Sequence, residues 1–571
     1  MPEQSFMKSL FHGVIAEELV SPWPEPQPEG RDAIERIVGA VRRFGERVDS
    51  AAIDREGRIA EDDLRTLREI GVFGATVPRE HGGLGLGRAG AARVIQELAT
   101  VDSSIALTVA AHQSIGLDAL LFFGTDTQKR KYLPRLAAGE WLAGFALTEA
   151  TAGTDAAAIQ TRAERSPEGE GWIVDGSKLW VTNGATADVF TVFARTSPAE
   201  EGVKPRITAF LVERGHGVIS SEPWPTLGVR GSATTSVRLE AARVPSGNVL
   251  GEVGRGFKVA TQVLDGGRVA LAAQCVGLCK RLVSMSVARA AERRAFGRAI
   301  GGFGLIKDKI ARMMVDTFAL ESALYATAGL IDGGTAEWSI ESAICKVLGS
   351  ETAWRVANEA AQIAGGLGYM ADHPWERLLR DARVHMVFEG TNETLRCFVA
   401  LAGMQGPGRE ITDVTRAMRE PIKGFGLLSD FALRKARSAL GRERLHRVHP
   451  LLNKETVLFE EATVELARNV EKVLRKHGKE IAEMQFTQRR VADLAIDLYA
   501  LAACLSRTSR AIEKKGEDGA RREIELTTAF AGHASDRIAA NVRAFERNDD
   551  ELLKAIAQRS YADGGYPFEA P

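Results

Sequence analysis

A chain of 571 residues is too long for one simple domain, and its 45% apolar and 26% charged residues are those of an ordinary globular protein. A formal net charge of -1 offers no basic field for nucleic acid. Five scattered cysteines without a C-x-x-C pair argue against a disulfide framework or zinc site and fit a reducing cytoplasm, and no apolar run reaches the ~18 residues that span a bilayer.

Residues 1–30 read as an N-terminal arm. Met1 to Gly13 has the pattern of neither a secretory signal nor a transit peptide, and Ser21 to Glu29 holds four prolines, extended chain before the first helix. Residues 31–143 follow a helical pattern with loops at Pro78 to Gly87 and around Gly124; Asp102 to Phe123 is poor in polar residues, which predicts a buried centre. Residues 144–258 change character. Trp172 to Val174, Lys178 to Val181, Val189 to Ala194, Ile207 to Val212 and Thr235 to Leu239 are short β-rich runs between turn residues, predicting a compact antiparallel domain.

The helical period returns over 259–405, with Phe303 to Ile331 and Thr352 to Ile363 as long amphipathic candidates. Cys275 and Cys279 share one helix face as small core residues. Gly406-Pro407-Gly408 reads as a joint before a helical extension, 406–571, that includes Val457 to Leu474 and Arg489 to Ile512. Within it, 431–448 carries six basic residues against the single acid Glu443. That is the composition of a peripheral membrane contact or of a solvated loop. The fold class is mostly α with a central β domain.

Chemistry concentrates in a few motifs. In Phe388-Glu389-Gly390-Thr391-Asn392, apolar neighbours would strip water from Glu389, and glycine lets a ligand approach the backbone. A desolvated carboxylate becomes a usable base near neutral pH. Thr148-Glu149 and Gly153-Thr154-Asp155 could offer hydroxyls and N–H groups to a phosphate or a flat polar ring, or form a solvent turn. Trp180-Val181-Thr182 puts an aromatic and a hydroxyl on one strand face, suited to a planar cofactor or to a strand end. Arg293 to Gly297 places a guanidinium beside Phe296, as a pyrophosphate fork or as exposed surface. Gln362 to Gly368 is glycine-rich after a helix, but it is not G-x-G-x-x-G and no β-α-β unit surrounds it, so a Rossmann site is not supported.

In this order the motifs Phe145-Ala-Leu-Thr-Glu149, Gly153-Thr-Asp155, Trp180 to Gly184, Arg293-x-x-Phe-Gly297, Gln362-x-x-Gly-Gly366 and Phe388-Glu-Gly-Thr391 resemble the acyl-CoA dehydrogenase flavoprotein family. Ala111 to Gly116, Gly251 to Gly254, Arg377 to Arg383 and the segment after Met404 are similar to its very-long-chain branch and that branch's complex-I-assembly relative, so the likeness covers nearly the whole chain. The resemblance implies FAD at the junction of the β domain and the C-terminal helices. Phe145, Leu147, Thr148, Gly153, Thr154, Trp180, Val181 and Thr182 would line the flavin and pyrophosphate. Arg293, Phe296, Gln362, Gly365 and Gly366 would reach the FAD of a partner subunit in a homodimer. Thr391, Asn392 and Glu393 would cover the adenosine side.

It further implies a long-chain acyl-CoA substrate met by Thr154, Asp265, Arg268, Phe388 and Gly390, with Glu389 as the base and no metal. Electron-transfer flavoprotein would be the acceptor. An oxidase using oxygen and an assembly or scaffold protein are the competing readings. Three positions depart from the family pattern. The loop Glu149 to Asp155 lacks a proline and one glycine, Gly304 stands where many members have glutamine, and two tail-facing glycines correspond to Gly116 and Ala119, which implies a slightly narrower tunnel.

Overall fold

The computed structural model describes residues 5–25, 28–167, 169–197, 205–419 and 444–569. Two compact units divide it: Leu19–Leu395 with Ser5, and Phe6–Glu18 with Arg396–Pro571.

The first unit begins with the helices Pro28–Gly45, Ser50–Glu56, Glu61–Ile70 and Arg88–Val101. Left-handed Gly57 and Gly71 end two of them, a conformation that costs glycine little. Their apolar faces meet in a core that includes Ile37, Val41, Phe44, Leu67, Val94 and Leu98. Asp102 then caps the next helix, its carboxylate accepting from the N–H groups of Ser104 (2.8 Å) and Ile105 (3.1 Å).

The helix Ser103–Ala111 runs into a π-helical turn, His112–Gly116, and on into Asp118–Phe123. The turn is closed by Leu117 N–H donating to His112 O at 2.9 Å. Such turns gather at functional sites. This stretch and the helix Gly256–Glu292 are each long and apolar enough to cross a membrane, more than the sequence reading allowed. However, 83% and 78% of their apolar windows are buried in the protein, so both are core helices.

The β domain is one eight-stranded sheet. It is mixed, not wholly antiparallel. Ala143–Ala146 runs parallel to Val189–Arg195, whose other neighbour, Ile207–Glu213, is antiparallel. Both faces of Val189–Arg195 are covered, which is why its sequence is a continuous apolar run. The two runs around Asp175-Gly176 are not separate strands; they form one strand, Gly171–Val181, with irregularities between Val174 and Gly176 and between Lys178 and Val181.

After the sheet in chain order come Gly256–Glu292, Gly304–Asp332, Ser339–Ala364 and Pro374–Arg383; the second matches the expected Phe303 to Ile331 within one residue at each end, and the third is longer than the expected Thr352 to Ile363. Cys275 and Cys279 are wholly buried, as expected of core residues.

In the second unit, part of the arm is itself a helix, Phe6–Phe11. Phe6, Met7, Leu10 and Phe11 are buried, and the Phe6 ring lies 6.1 Å from that of Tyr499. The unit's other helices include Asn453–His477, Gln485–Gly519, Arg521–Ala544 and Asp550–Asp563, the last tied at its start by the bidentate pair Arg490–Asp550 (2.6 and 2.8 Å). Gly406-Pro407-Gly408, read as a joint, lies inside the helix Asn392–Arg419, and the compact units divide earlier, at Leu395. Of the basic segment 431–448, residues 431–443 lie outside the described residues.

Candidate active site

Three residues after the short turn Val384–Met386, the chain turns left-handed at two successive positions: Glu389 with φ +58° and Gly390 with φ +91°. For a glutamate this conformation costs on the order of 1–3 kcal/mol, held only where the surroundings enforce it. Here two cations do so. Arg268 Nε donates to the Glu389 carbonyl (3.2 Å) and its Nη1 to Asp265 (2.6 Å). Lys346 Nζ, wholly buried, donates to the Gly390 carbonyl (2.7 Å) and to Asn392 Oδ1 (2.8 Å).

The side chain of Glu389 lies over Gly267 of the long helix Gly256–Glu292. A Cβ at that glycine would sit 2.7 Å from Glu389 Oε2 and 2.7 Å from Ile115 of the π-turn, so only glycine fits there. Oε2 is buried and accepts no hydrogen bond. Burial without a donor disfavours the charged form, and Glu389 is pushed up to about 7, with Arg268 and Lys346 partly opposing. Asp265 is likewise raised by burial to about 6, against Arg268, and burial pulls Lys346 down to about 8. The backbone N–H of Glu389 has no acceptor among the described residues and remains available to a ligand oxygen.

The second cluster is the loop after strand Ala143–Ala146. Phe145 stacks edge-on against Phe193 (5.1 Å), and Leu147 is buried. A buried ion pair fastens the loop: Lys178 Nζ donates to Glu149 Oε1 (2.6 Å) and to the Leu147 carbonyl (3.2 Å). Glu149 also accepts from Thr161 N–H (3.0 Å), from its hydroxyl (2.6 Å) and from Gln160 N–H. Burial lowers Lys178 to about 8. Beyond this anchor, Gly153 and Thr154 are exposed.

Trp180 takes φ +54° and is 60% exposed, so it does not share a regular strand face with Thr182 as the alternation rule predicts; the irregularity after Lys178 breaks the alternation. Asn183 Nδ2 donates to the Thr108 carbonyl (3.0 Å), seven residues before Ile115 on the same helical stretch, or about 10 Å along its axis. The loop and the base therefore flank one helical segment. The hydroxyls of Thr148, Thr154 and Thr182 bond to no described residue. Three unused hydroxyls beside an exposed indole fit a flat ring with a polar edge and tail, which is the chemistry of FAD.

The other predicted residues do not join these clusters. Arg293 and Gln362 are exposed, Phe296 is 95% exposed at φ +49°, and a Cβ at Gly365 or Gly366 would meet nothing within 4 Å. Thr391 is half-buried and Glu393 exposed. Asn392 is a correction. Its amide is buried and committed to Lys346, Ser350 and Glu351, so it positions the base segment and is not open to an adenosine. Phe388 packs against His385 (5.5 Å).

Gly116 also differs from expectation, since a Cβ there would lie 2.7 Å from Ala143 Cβ. Its first role is to let the π-turn approach the strand. Ala119 is wholly buried in the core beside Leu117 and Leu120. Sequence reasoning gave no role to Ile115 or Lys346, and it took in Gly267 only as part of the substrate-facing stretch Asp265 to Arg268. Their signals were a glycine inside a helix, which costs about 1 kcal/mol against alanine, and a lone lysine in the apolar run Ala343 to Leu348.

Comparison with known proteins bears on the same residues. Family models match at 31–140 (acyl-CoA dehydrogenase, N-terminal domain), 144–242 (middle domain), 254–404 (C-terminal domain) and 450–566 (ACAD9/ACADV, C-terminal domain). The very long-chain specific acyl-CoA dehydrogenase, mitochondrial, of Rattus norvegicus is 41% identical over 583 residues, covering 100% of this chain and 89% of that protein. The structure of an acyl-CoA dehydrogenase complexed with FAD from Bacillus anthracis superposes with a TM-score of 0.79 at 30% identity, covering 96% of this chain and 94% of that one. Butyryl-CoA dehydrogenase from Megasphaera elsdenii gives 0.62 at 32% identity, covering 98% of that chain but 66% of this one.

Proposed function

The chain belongs to the acyl-CoA dehydrogenase family, and on that premise we propose that it oxidises long-chain acyl-CoA thioesters to trans-2-enoyl-CoA, with Glu389 as the base and electron-transfer flavoprotein as the acceptor. That it is an FAD-dependent acyl-CoA dehydrogenase follows from its family; the base, the chain length, the acceptor and the subunit arrangement are our reading.

One observation carries the assignment of the base. Glu389 Oε2 is buried without a hydrogen-bond donor while the residue's own N–H is free. A thioester carbonyl accepting that N–H would place its α carbon beside the carboxylate. Negative charge developing on the carbonyl oxygen would be met by the N–H and by the nearby Arg268 and Lys346 cations. Glu389 then takes the α proton, a task suited to a group that titrates near neutrality. Bound FAD supplies the two-electron acceptor for the hydrogen that leaves the β carbon.

Phe145 to Thr154 and Trp180 to Thr182 would hold the flavin. Arg293, Phe296, Gln362, Gly365 and Gly366 would complete the site of a second copy in a homodimer, which accounts for their exposure in one chain. The long tail rests on the likeness to very long-chain specific relatives; between the π-turn and the sheet, Gly116, Leu120, Leu136, Ala143 and Leu211 line only a small apolar void. The exposed Trp180 gives an acceptor protein an aromatic contact beside the flavin loop. Four of the five cysteines are buried and none forms a disulfide, in keeping with the proposed cytoplasmic location.

Anaerobic bleaching of the flavin across a series of acyl-CoA lengths tests this. The family resemblance implies an optimum at about twelve to eighteen carbons, and each added methylene is worth about 0.8 kcal/mol where the tunnel accepts it. An optimum near four to six carbons would overturn the long-chain reading. Steady peroxide formation in air, with no response to electron-transfer flavoprotein, would overturn the acceptor.

A further inference from the structure

Away from the base and the flavin loop, a cleft of about 560 Å³ opens between the N-terminal helices and the start of the helix Pro374–Arg383. Arg42, Ser50, Val101, Arg281, His373 and Arg377 are among the residues that line it. Arg377 is the unusual one. It is 8% exposed, its guanidinium bonds to no described residue, and its Nε is sealed from solvent without an acceptor. A nearly buried cation with unused donors is costly unless something pairs with it.

The surroundings do not supply that partner. Arg281 gives one bond, Nη1 to the Val101 carbonyl (2.5 Å), and the Arg377 charge bears directly on it. The acids whose charge bears on these two cations are Asp54, held bidentate by Arg380 (2.7 and 3.0 Å), Asp102 and Asp381. Asp102 is committed to the amides of Ser104 and Ile105, and Asp381 to that of Val229 (2.6 Å). At the rim stand Glu46, Asp372, His373 and Arg42, the last paired with Glu97 (2.8 Å). His373 precedes the helix without capping it, so the first-turn amides and the positive end of the helix dipole are also unmet.

We infer that this cleft binds the oxyanion of a small molecule, a phosphate ester or a carboxylate, between Arg281, Arg377 and the first turn of Pro374–Arg383. Its volume lies in the range of small-ligand sites, roughly 300–1,000 Å³. The guanidinium forks match the planar, multi-oxygen geometry of such groups.

The test uses the FAD-loaded enzyme saturated with an inert CoA thioether, so that the cofactor and substrate phosphate subsites are filled. Inorganic phosphate and acetate are titrated separately by calorimetry at constant ionic strength. Saturable binding of one equivalent is expected, with phosphate or acetate preference distinguishing the two sources. Arg377→Gln and Arg281→Gln should each weaken it by about tenfold or more, the loss of a charge-assisted bond, with FAD content and turnover retained. No saturable binding of either anion to the unmodified enzyme would overturn the proposal without any variant. Binding that survives both substitutions would do the same. If Arg377→Gln fails to load FAD, Arg281→Gln and the unmodified titration still decide.

Discussion

The base pocket and the surface that carries Trp180, Phe296, Gln362 and Gly365 share an oddity and differ in its cause. Both contain residues in the left-handed region: Glu389 and Gly390 in one, Trp180, Phe296 and Gly365 in the other. In the pocket the strain is explained within the chain, because Arg268 and Lys346 grip the two carbonyls and Gly267 makes room for the carboxylate. On the surface the large rings are exposed, and the glycines face open space. On the proposed reading, strained backbone with no internal partner faces a cofactor and a second copy, so that proton chemistry would be complete in one chain while the cofactor cradle would not.

The sharpest break of that contrast is Glu389→Gln, which keeps shape and FAD but should lower turnover by about 10² or more. The same substitution separates stability from rate. Because burial raises the folded-state value of Glu389, its protonation favours the fold below the ordinary carboxylate range. That contribution is lost as pH rises through about 7. Glu389→Gln should therefore melt higher than the parent at pH 8, by up to roughly 3 kcal/mol, and equal it near pH 4. Thermal melts at the two pH values check this, and an unchanged flavin-bleaching rate would remove Glu389 from the role.

On the surface, Arg293→Gln should cost about tenfold or more in FAD retention and leave the pH midpoint of turnover unmoved. Sedimentation should show the parent as a dimer, and a flavin-loaded monomer at low micromolar concentration would refute the shared site. Back in the pocket, Lys346→Met removes a cation that favours the ionised base, so the midpoint of the pH–rate profile should rise from about 7 by up to roughly one unit. The smallest effect is expected at Ala119→Gly, where one methyl is lost from a fully buried site. The chain-length optimum should lengthen by about one or two carbons, read from the same bleaching series.

How much of this was legible in the sequence follows the same division. Glu389 could be found because a carboxylate between apolar residues and glycine is a local pattern. The order of helical, β and helical segments followed from hydrophobic period. What escaped depends on contacts distant in sequence. Lys346 reaches Gly390 across 44 residues, and Gly267 matters only because Ile115 and Glu389 converge on it. Asn392 could be located but not interpreted, since its partners Ser350 and Glu351 lie on another helix. The sheet's parallel pairings and the burial of Phe6–Phe11 are likewise properties of assembly and not of local pattern.

The π-turn His112–Gly116 holds one residue more than an α-helix would need over the same length. Removing one of the five would restore α-helical winding and leave residues 117–123 facing as they do, because the wider turn is what absorbs the extra residue. Asp118 would keep its place over Gly266 beside Arg88 (2.7 Å), and Leu117 and Leu120 would stay in the core they share. What would go is the bulge that brings Ile115 over Gly267. The wall beside the base is thus set by a count as well as by volumes, and a one-residue deletion here would flatten it at Ile115 alone, while side-chain swaps such as Ala119→Gly trim it by a methyl.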